Sequence, residues 1–125
     1  MTLGQTYWYP LPPGVVQKNW HTLNSIASAT NLVVVSYTVP TGKVFKATFY
    51  SICGKLGECR MTLQEKIATV WTDVDAVCTP VASETRVIQF IEPLEFSAGT
   101  EIRILARNSH TASQNVRAIF RGVEL

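Results

Sequence analysis

Two stretches near the end of the chain alternate apolar and polar side chains, and this period of two constrains the fold more than any other feature. In Thr100 to Arg107, Ile102, Ile104 and Ala106 are set against Glu101, Arg103 and Arg107. In Asn115 to Val123, Val116, Ala118 and Phe120 are set against Arg117, Ile119 and Arg121. Successive side chains leave opposite faces of a β-strand, so each stretch is expected to be a strand with one face in a core. The run Asn31 to Val39 is dense in β-branched residues and reads as another strand, stopped by Pro40-Thr41-Gly42 in a type I turn over Val39 to Gly42. In Val44 to Ile52, Phe45, Ala47 and Phe49 share one face, and Lys46, Thr48 and Tyr50 the other.

Cys59 to Lys66 alternates again, with Met61 and Leu63 opposite Arg60, Thr62 and Gln64; Thr85 to Ile91 is a further strand. Glu92 to Gly99 reads as a turn-rich connection in which Gly99 takes the positive-φ position of a type II turn. The stretch through Trp20 and Ser28 is weakly patterned, and residues 67–84 read as one or two short strands and a loop. Seven or eight strands between Gly, Pro and Asn connections, with no 3.6-residue period, predict an all-β antiparallel β-sandwich. Jelly roll is the expected topology. An immunoglobulin-like sandwich stays open, although the Cys, Trp, Cys signature of true immunoglobulin domains is absent.

A length of 125 residues suits one domain. Residues 1–14 are expected to be an extended arm and residues 15–125 the sandwich. The arm combines Tyr7, Trp8 and Tyr9 with Pro10, Pro12 and Pro13, which disfavours helix, and its rings suit anchoring either on a neighbour or back over the same sandwich.

Charged residues are only 16% of the chain, against roughly 25% in ordinary domains. A neutral surface rich in Ser and Thr accounts for this, as does burial of part of the surface by neighbouring copies, which is the favoured account. The net charge of +2 is too weak and too dispersed to make nucleic acid or a membrane the main partner. The start of the sequence has no basic and apolar leader pattern, and no apolar run reaches membrane-spanning length.

Cys53, Cys59 and Cys78 form an odd set, so at least one thiol is unpaired within the chain. Cys53 and Cys59 could face each other across a hairpin, but buried free thiols are the favoured reading. His21 and His110 are too few and too far apart for a zinc site. Cys78, His110 and Asp73 compose a nucleophilic trio only on paper, and Asp73 with Asp75, or Glu92 with Glu95, compose a carboxylate pair equally weakly. Asp73-Val-Asp75 lacks the dense oxygen loop of a calcium site, and no phosphate-binding glycine motif occurs. No enzyme activity, metal or cofactor is expected.

The remaining charge feature is a ladder of Arg103, Arg107, Arg117 and Arg121 on the last two strands. Lying in one sheet or across an edge, these guanidiniums would form a basic strip that pairs with carboxylates of a neighbour, unless they are simply solvated.

The strand end Val39-Pro-Thr-Gly-Lys43, the segment Pro93-Leu-Glu-Phe-Ser-Ala-Gly-Thr100-Glu-Ile-Arg-Ile104 and the close Arg121-Gly-Val-Glu-Leu125 together resemble small jelly-roll subunits of phage and viral particles. The type is that of capsid decoration (cement) and head-spike proteins. The resemblance spans residues 31–125; the cysteines and aromatic arm are not part of its pattern. It implies a homo-oligomer bound to a major capsid protein or other virion subunits, a virion location, no cofactor and no catalysis. The expected contacts are Tyr7, Trp8, Tyr9, Arg103, Arg107, Arg117 and Arg121. A receptor- or carbohydrate-binding module using Trp20 or Trp71 is the alternative.

Overall fold

The computed structural model describes residues 14–125. These form eight strands: β1 Val16–Ile26, β2 Thr30–Thr38, β3 Phe45–Gly54, β4 Cys59–Ile67, β5 Val70–Thr79, β6 Thr85–Phe96, β7 Glu101–Asn108 and β8 Gln114–Glu124. They build two four-stranded antiparallel sheets, ordered β1-β8-β3-β6 (sheet A) and β2-β7-β4-β5 (sheet B). The pairs β4/β5, β3/β6, β2/β7 and β1/β8 are what results when the chain folds double at the β4–β5 hairpin and the double ribbon rolls up. The protein is therefore an all-β antiparallel sandwich with jelly-roll strand order.

The core lies between the sheets. Phe45, Tyr50, Ile52, Val116, Ala118 and Phe120 come from sheet A, and Met61, Leu63, Ile102, Ile104 and Ala106 from sheet B. Each fully buried large apolar side chain contributes about 1.5–3 kcal/mol. Trp20 joins this interior, ringed by Tyr37, Phe45 and Phe120 at centroid separations of 5.1, 5.9 and 5.3 Å. Gly122 makes room for Phe45: a Cβ there would collide with the Phe45 ring and come within 2.6 Å of the Lys46 carbonyl oxygen.

The alternation expected for β4, β7 and β8 is observed, and Gly99 has φ 83° in a turn closed by the Thr100 amide donating to Ser97 O. Several local expectations need correction. The first turn runs one residue later than expected, with the Lys43 amide donating to Pro40 O and Gly42 at φ 77°, which is type II geometry. In β3 the register shifts between Ala47 and Phe49, which reverses the facing of the remainder of the strand. Tyr50 and Ile52 therefore point inward, while Phe49 faces out.

The weakly patterned stretch through Trp20 is β1. As an edge strand its core-side positions include Lys18, Thr22 and Asn24, which hides the alternation. Residues 70–79 form one unbroken strand after a tight hairpin, whose turn residues Ala68 and Thr69 have φ 48° and 75° without any glycine or asparagine. The expected connection over residues 92–99 is strand as far as Phe96. Pro93 is tolerated because β6 is an edge strand and the β6 residues paired with β3 jump from Leu94 to Gln89, leaving residue 93 outside the ladder.

Residues 54–58 form an arch between the sheets, so Cys53 and Cys59 do not face each other across a hairpin. All three thiols are free; Cys59 is buried, Cys53 half-buried and Cys78 exposed, so burial holds for only one of them. Burial pushes the Cys59 thiol pKa up.

The loops at this end are tied by Asn108 and Gln114, both buried. Asn108 Nδ2 donates to the Ile26 and Ala112 carbonyls at 2.9 and 2.8 Å, and its Oδ1 accepts from the His110 amide at 2.9 Å and Gln114 Nε2 at 2.7 Å. Gln114 Nε2 also donates to Gly57 O, and its Oε1 accepts from the Leu56 amide. Every polar atom of these two side chains is thereby satisfied away from water.

Candidate functional site

The core-facing half of each strand fixes what the other half displays, so the two outer sheet faces are the surfaces available for function. Across β1, β8, β3 and β6 the outer face of sheet A runs in four rows. These are Gln17–Val123–Lys46–Glu95, Asn19–Arg121–Phe49–Gln89, His21–Ile119–Ser51–Val87 and Leu23–Arg117–Cys53–Thr85. Leu23 is 60% exposed and Val87 52%, with Ile119, Phe49 and Val123 partly open between and beside them. Ile91 on the neighbouring edge is 99% exposed. Arg121 lies over the Phe49 ring at 4.9 Å and donates from Nε to Asn19 Oδ1 at 3.3 Å. Ser51, though on this outer face, is only 4% exposed, sealed by its neighbours.

The outer face of sheet B carries more charged residues, with one largely apolar row. Its rows, read over β2, β7, β4 and β5, are Asn31–Arg107–Arg60–Cys78, Val33–Leu105–Thr62–Ala76 and Ser36–Arg103–Gln64–Asp73. A fourth joins Thr38 and Glu101 to Lys66 and Trp71. Arg103 stacks on Trp71 at 4.1 Å and donates from Nε to Gln64 Oε1 at 2.8 Å; Gln64 Nε2 in turn donates to Asp73 Oδ1 at 2.7 Å. A shallow depression of about 210 Å³ is lined by Asn31, Arg60, Thr62, Gln64, Asp73, Leu105 and Arg107.

Strands β7 and β8 lie in opposite sheets, which corrects the single basic strip. Arg103 and Arg107 are on the sheet B face, and Arg117 and Arg121 on the sheet A face, with the core between them. Tyr7, Trp8 and Tyr9 lie outside the described residues. Arg60 was not singled out by sequence, although its place opposite Met61 and Leu63 marks it as outward; what could not be read was that Arg107 would be its cross-strand partner.

The other pairings of reactive residues dissolve in the fold. Asp73 and Cys78 sit toward opposite ends of β5, and His110 is in the β7–β8 loop, where its Nδ1 accepts from the Ala112 amide. A bulge at Val74 separates the two aspartates: Asp73 faces out, and Asp75 accepts a 2.5 Å bond from the Tyr50 hydroxyl. Glu124 accepts from the Tyr37 hydroxyl and pairs with Lys18 at 3.9 Å. Burial, followed by the carboxylate partner, pushes both tyrosine pKa values well above the usual range. Among the described residues no three His, Cys, Asp or Glu side chains gather as metal ligands.

No family model matches this chain, and no curated protein matches it. Solved structures with similar architecture are found. One is a protein of Bacillus endospore appendages, described as a novel family of disulfide-linked pili, with TM-score 0.54 and 9% identity over 88% of this chain and 86% of that one. Another is a chain in the structure of infectious bursal disease virus Gt strain, with TM-score 0.51 and 7% identity over 89% of this chain and 32% of that one. At such identities the likeness is one of fold. The class defined by strand order and by these likenesses is a jelly-roll β-sandwich.

Proposed function

We propose that this protein is a non-enzymatic structural subunit that assembles with copies of itself, in the manner of a virion decoration, cement or spike protein. The carrying observation is the outer face of sheet A, where Leu23, Val87, Ile119 and Phe49 bring apolar side chains to the surface among Asn19, His21, Gln89, Arg117 and Arg121, with the fully exposed Ile91 on the edge strand beside them. Apolar surface of this kind in a chain with only 16% charged residues is more stable when covered by another subunit. The similar folds in a pilus and in a virus are consistent with such a role. Tyr7, Trp8 and Tyr9 extend the contact to a neighbour, and Arg117 and Arg121, set among the apolar side chains, orient it by pairing with carboxylates. The partner lattice is the major capsid protein or another virion subunit, and the location is the virion.

Sedimentation of the full chain over a range of concentrations tests self-association. A discrete oligomer that dissociates on introducing Val87→Asp is expected; a monomer at all concentrations overturns the self-assembly. Imaging of particles carrying the protein tests the virion placement, with ordered copies on the shell expected.

A second reading, a carbohydrate-binding module, draws on Trp71, which lies on the sheet B face with Gln64 and Asp73. Trp20 is no longer a candidate for it, because its ring is packed among Tyr37, Phe45 and Phe120. A glycan array on the wild type and on Trp71→Ala separates the readings: specific hits lost in the variant favour this module.

A further inference from the structure

We propose that the Arg60–Arg107 row of sheet B is a binding site for an oxyanion, a carboxylate or sulfate group. This row lies on the opposite face of the sandwich from the proposed assembly surface, so neither role depends on the other.

Charge along the sheet B face is compensated row by row, with one exception. Lys66 pairs with Glu101 at 3.5 Å. Arg103 is linked through Gln64 to Asp73. Arg60 and Arg107, however, are direct cross-strand partners, an arrangement that places two like charges side by side and is destabilising by itself. Neither takes part in any of the four ion pairs among the described residues. Asp73, the acid lining the same depression, is four residues along the β4 register from Arg60, roughly 13 Å at the rise of a strand. It is also engaged by Gln64.

The two guanidiniums differ in how they are held. Arg107 donates from Nε to Ser109 Oγ at 3.2 Å and from Nη1 to Asn31 Oδ1 at 3.4 Å, which fixes the fork. Arg60 is exposed and able to close onto a ligand. Thr62 and Asn31 line the same depression and add neutral polar groups beside the pair. Two guanidiniums with planar forks and one shared opening are suited to the bidentate geometry of a carboxylate or sulfate, whose negative charge relieves the repulsion between them. The source of the group is either a free or saccharide-borne anion or an acidic side chain of a second copy.

The test uses the full chain and inorganic sulfate at constant ionic strength, with chloride as the balancing salt. Saturable NMR shifts centred on Arg60, Arg107, Thr62 and Asn31 are expected. Arg60→Gln and Arg107→Gln should each weaken binding by about tenfold or more, as loss of a charge-assisted hydrogen bond implies. Arg86→Gln, which removes an arginine paired with Glu84 at 3.1 Å, should leave sulfate binding unchanged. Thermal melts keep the proposal open to refutation if binding is weak. In sulfate-free buffer both glutamine variants should melt no lower than wild type, and sulfate should raise the wild-type midpoint more than theirs.

Shifts that chloride reproduces, or that survive in both variants, overturn the site; so does marked destabilisation of both variants without sulfate. Two supporting outcomes separate the sources. If sulfate lowers the sedimenting mass, the native occupant is a neighbour's carboxylate. If the mass is unchanged and a sulfated disaccharide competes with sulfate, the occupant is a free or saccharide-borne anion.

Discussion

The outer faces of the two sheets arise from the same alternation yet carry different chemistry. On sheet A the exposed rows hold Leu23, Ile119, Val87 and Phe49 around Arg117 and Arg121. On sheet B they hold Arg60, Arg103, Arg107, Gln64, Asp73, Lys66 and Glu101, with Trp71 covered by Arg103 and the apolar Val33 and Leu105 confined to one row. An inward-facing position must be apolar to fill the core, but an outward-facing one is free to vary, and here it varies by sheet. One scaffold can therefore offer a surface that gains by losing water and another that gains by meeting a counter-charge.

The sharpest way to break this comparison is to place an acid on each face. Val87→Asp, whose outer-face neighbour on β3 is Ser51 and not a basic residue, should weaken self-association by more than about a hundredfold, since stranding an unpaired charge in an interface costs roughly 3–5 kcal/mol. Arg60→Asp on sheet B should abolish sulfate binding and, where the native occupant is a free or saccharide-borne anion, leave the sedimenting mass of the assembly unchanged. Equal effects of the two substitutions on mass would remove the distinction between the faces.

Next in size is damage to the scaffold that both faces share. Asn108→Ala should cost about 2–3 kcal/mol in chemical denaturation, because it leaves buried amides and carbonyls without partners. Both faces should then fail together, which separates a scaffold defect from a surface one. Gly122→Ala should also destabilise, through the collision with Phe45.

Alkaline pH should act on the interior without favouring either face. The tyrosine pKa values at Tyr37 and Tyr50 are raised on folding, so both stay protonated where the unfolded chain would ionise. Their contribution is complete below the ordinary tyrosine value of about 10 and falls as pH rises past it. Denaturation midpoints should drop above that pH in wild type and drop less in Tyr50→Phe. The smallest expected effect is that of Trp71→Ala, which takes the stacking platform from Arg103 and should cost about 0.5–1 kcal/mol, read in thermal melts.

Much of the fold could be read from the sequence because its strands obey a local rule. In β4, β7 and β8 apolar residues fall on every second position, and the side facing the core comes from that alone. The rule failed where a second influence intervened. The β3 bulge inverted Tyr50, the β4–β5 turn used Ala68 and Thr69 where glycine or asparagine is the usual signal, and the edge position of β6 let Pro93 stay in strand. The edge strand β1 carried polar residues on its core side and so showed no pattern.

For the surfaces, local alternation was enough to establish that Arg60, Arg103, Arg107, Arg117 and Arg121 point away from the core. Which residues stand beside them emerged only from the folded sheets. Rolling the ribbon sends β7 and β8 to opposite sheets, which divides the expected arginine strip in two, and it brings β4 beside β7, which sets Arg60 against Arg107. Facing is fixed by the geometry of one strand, whereas adjacency depends on pairing between residues distant along the chain, and no local pattern encodes that.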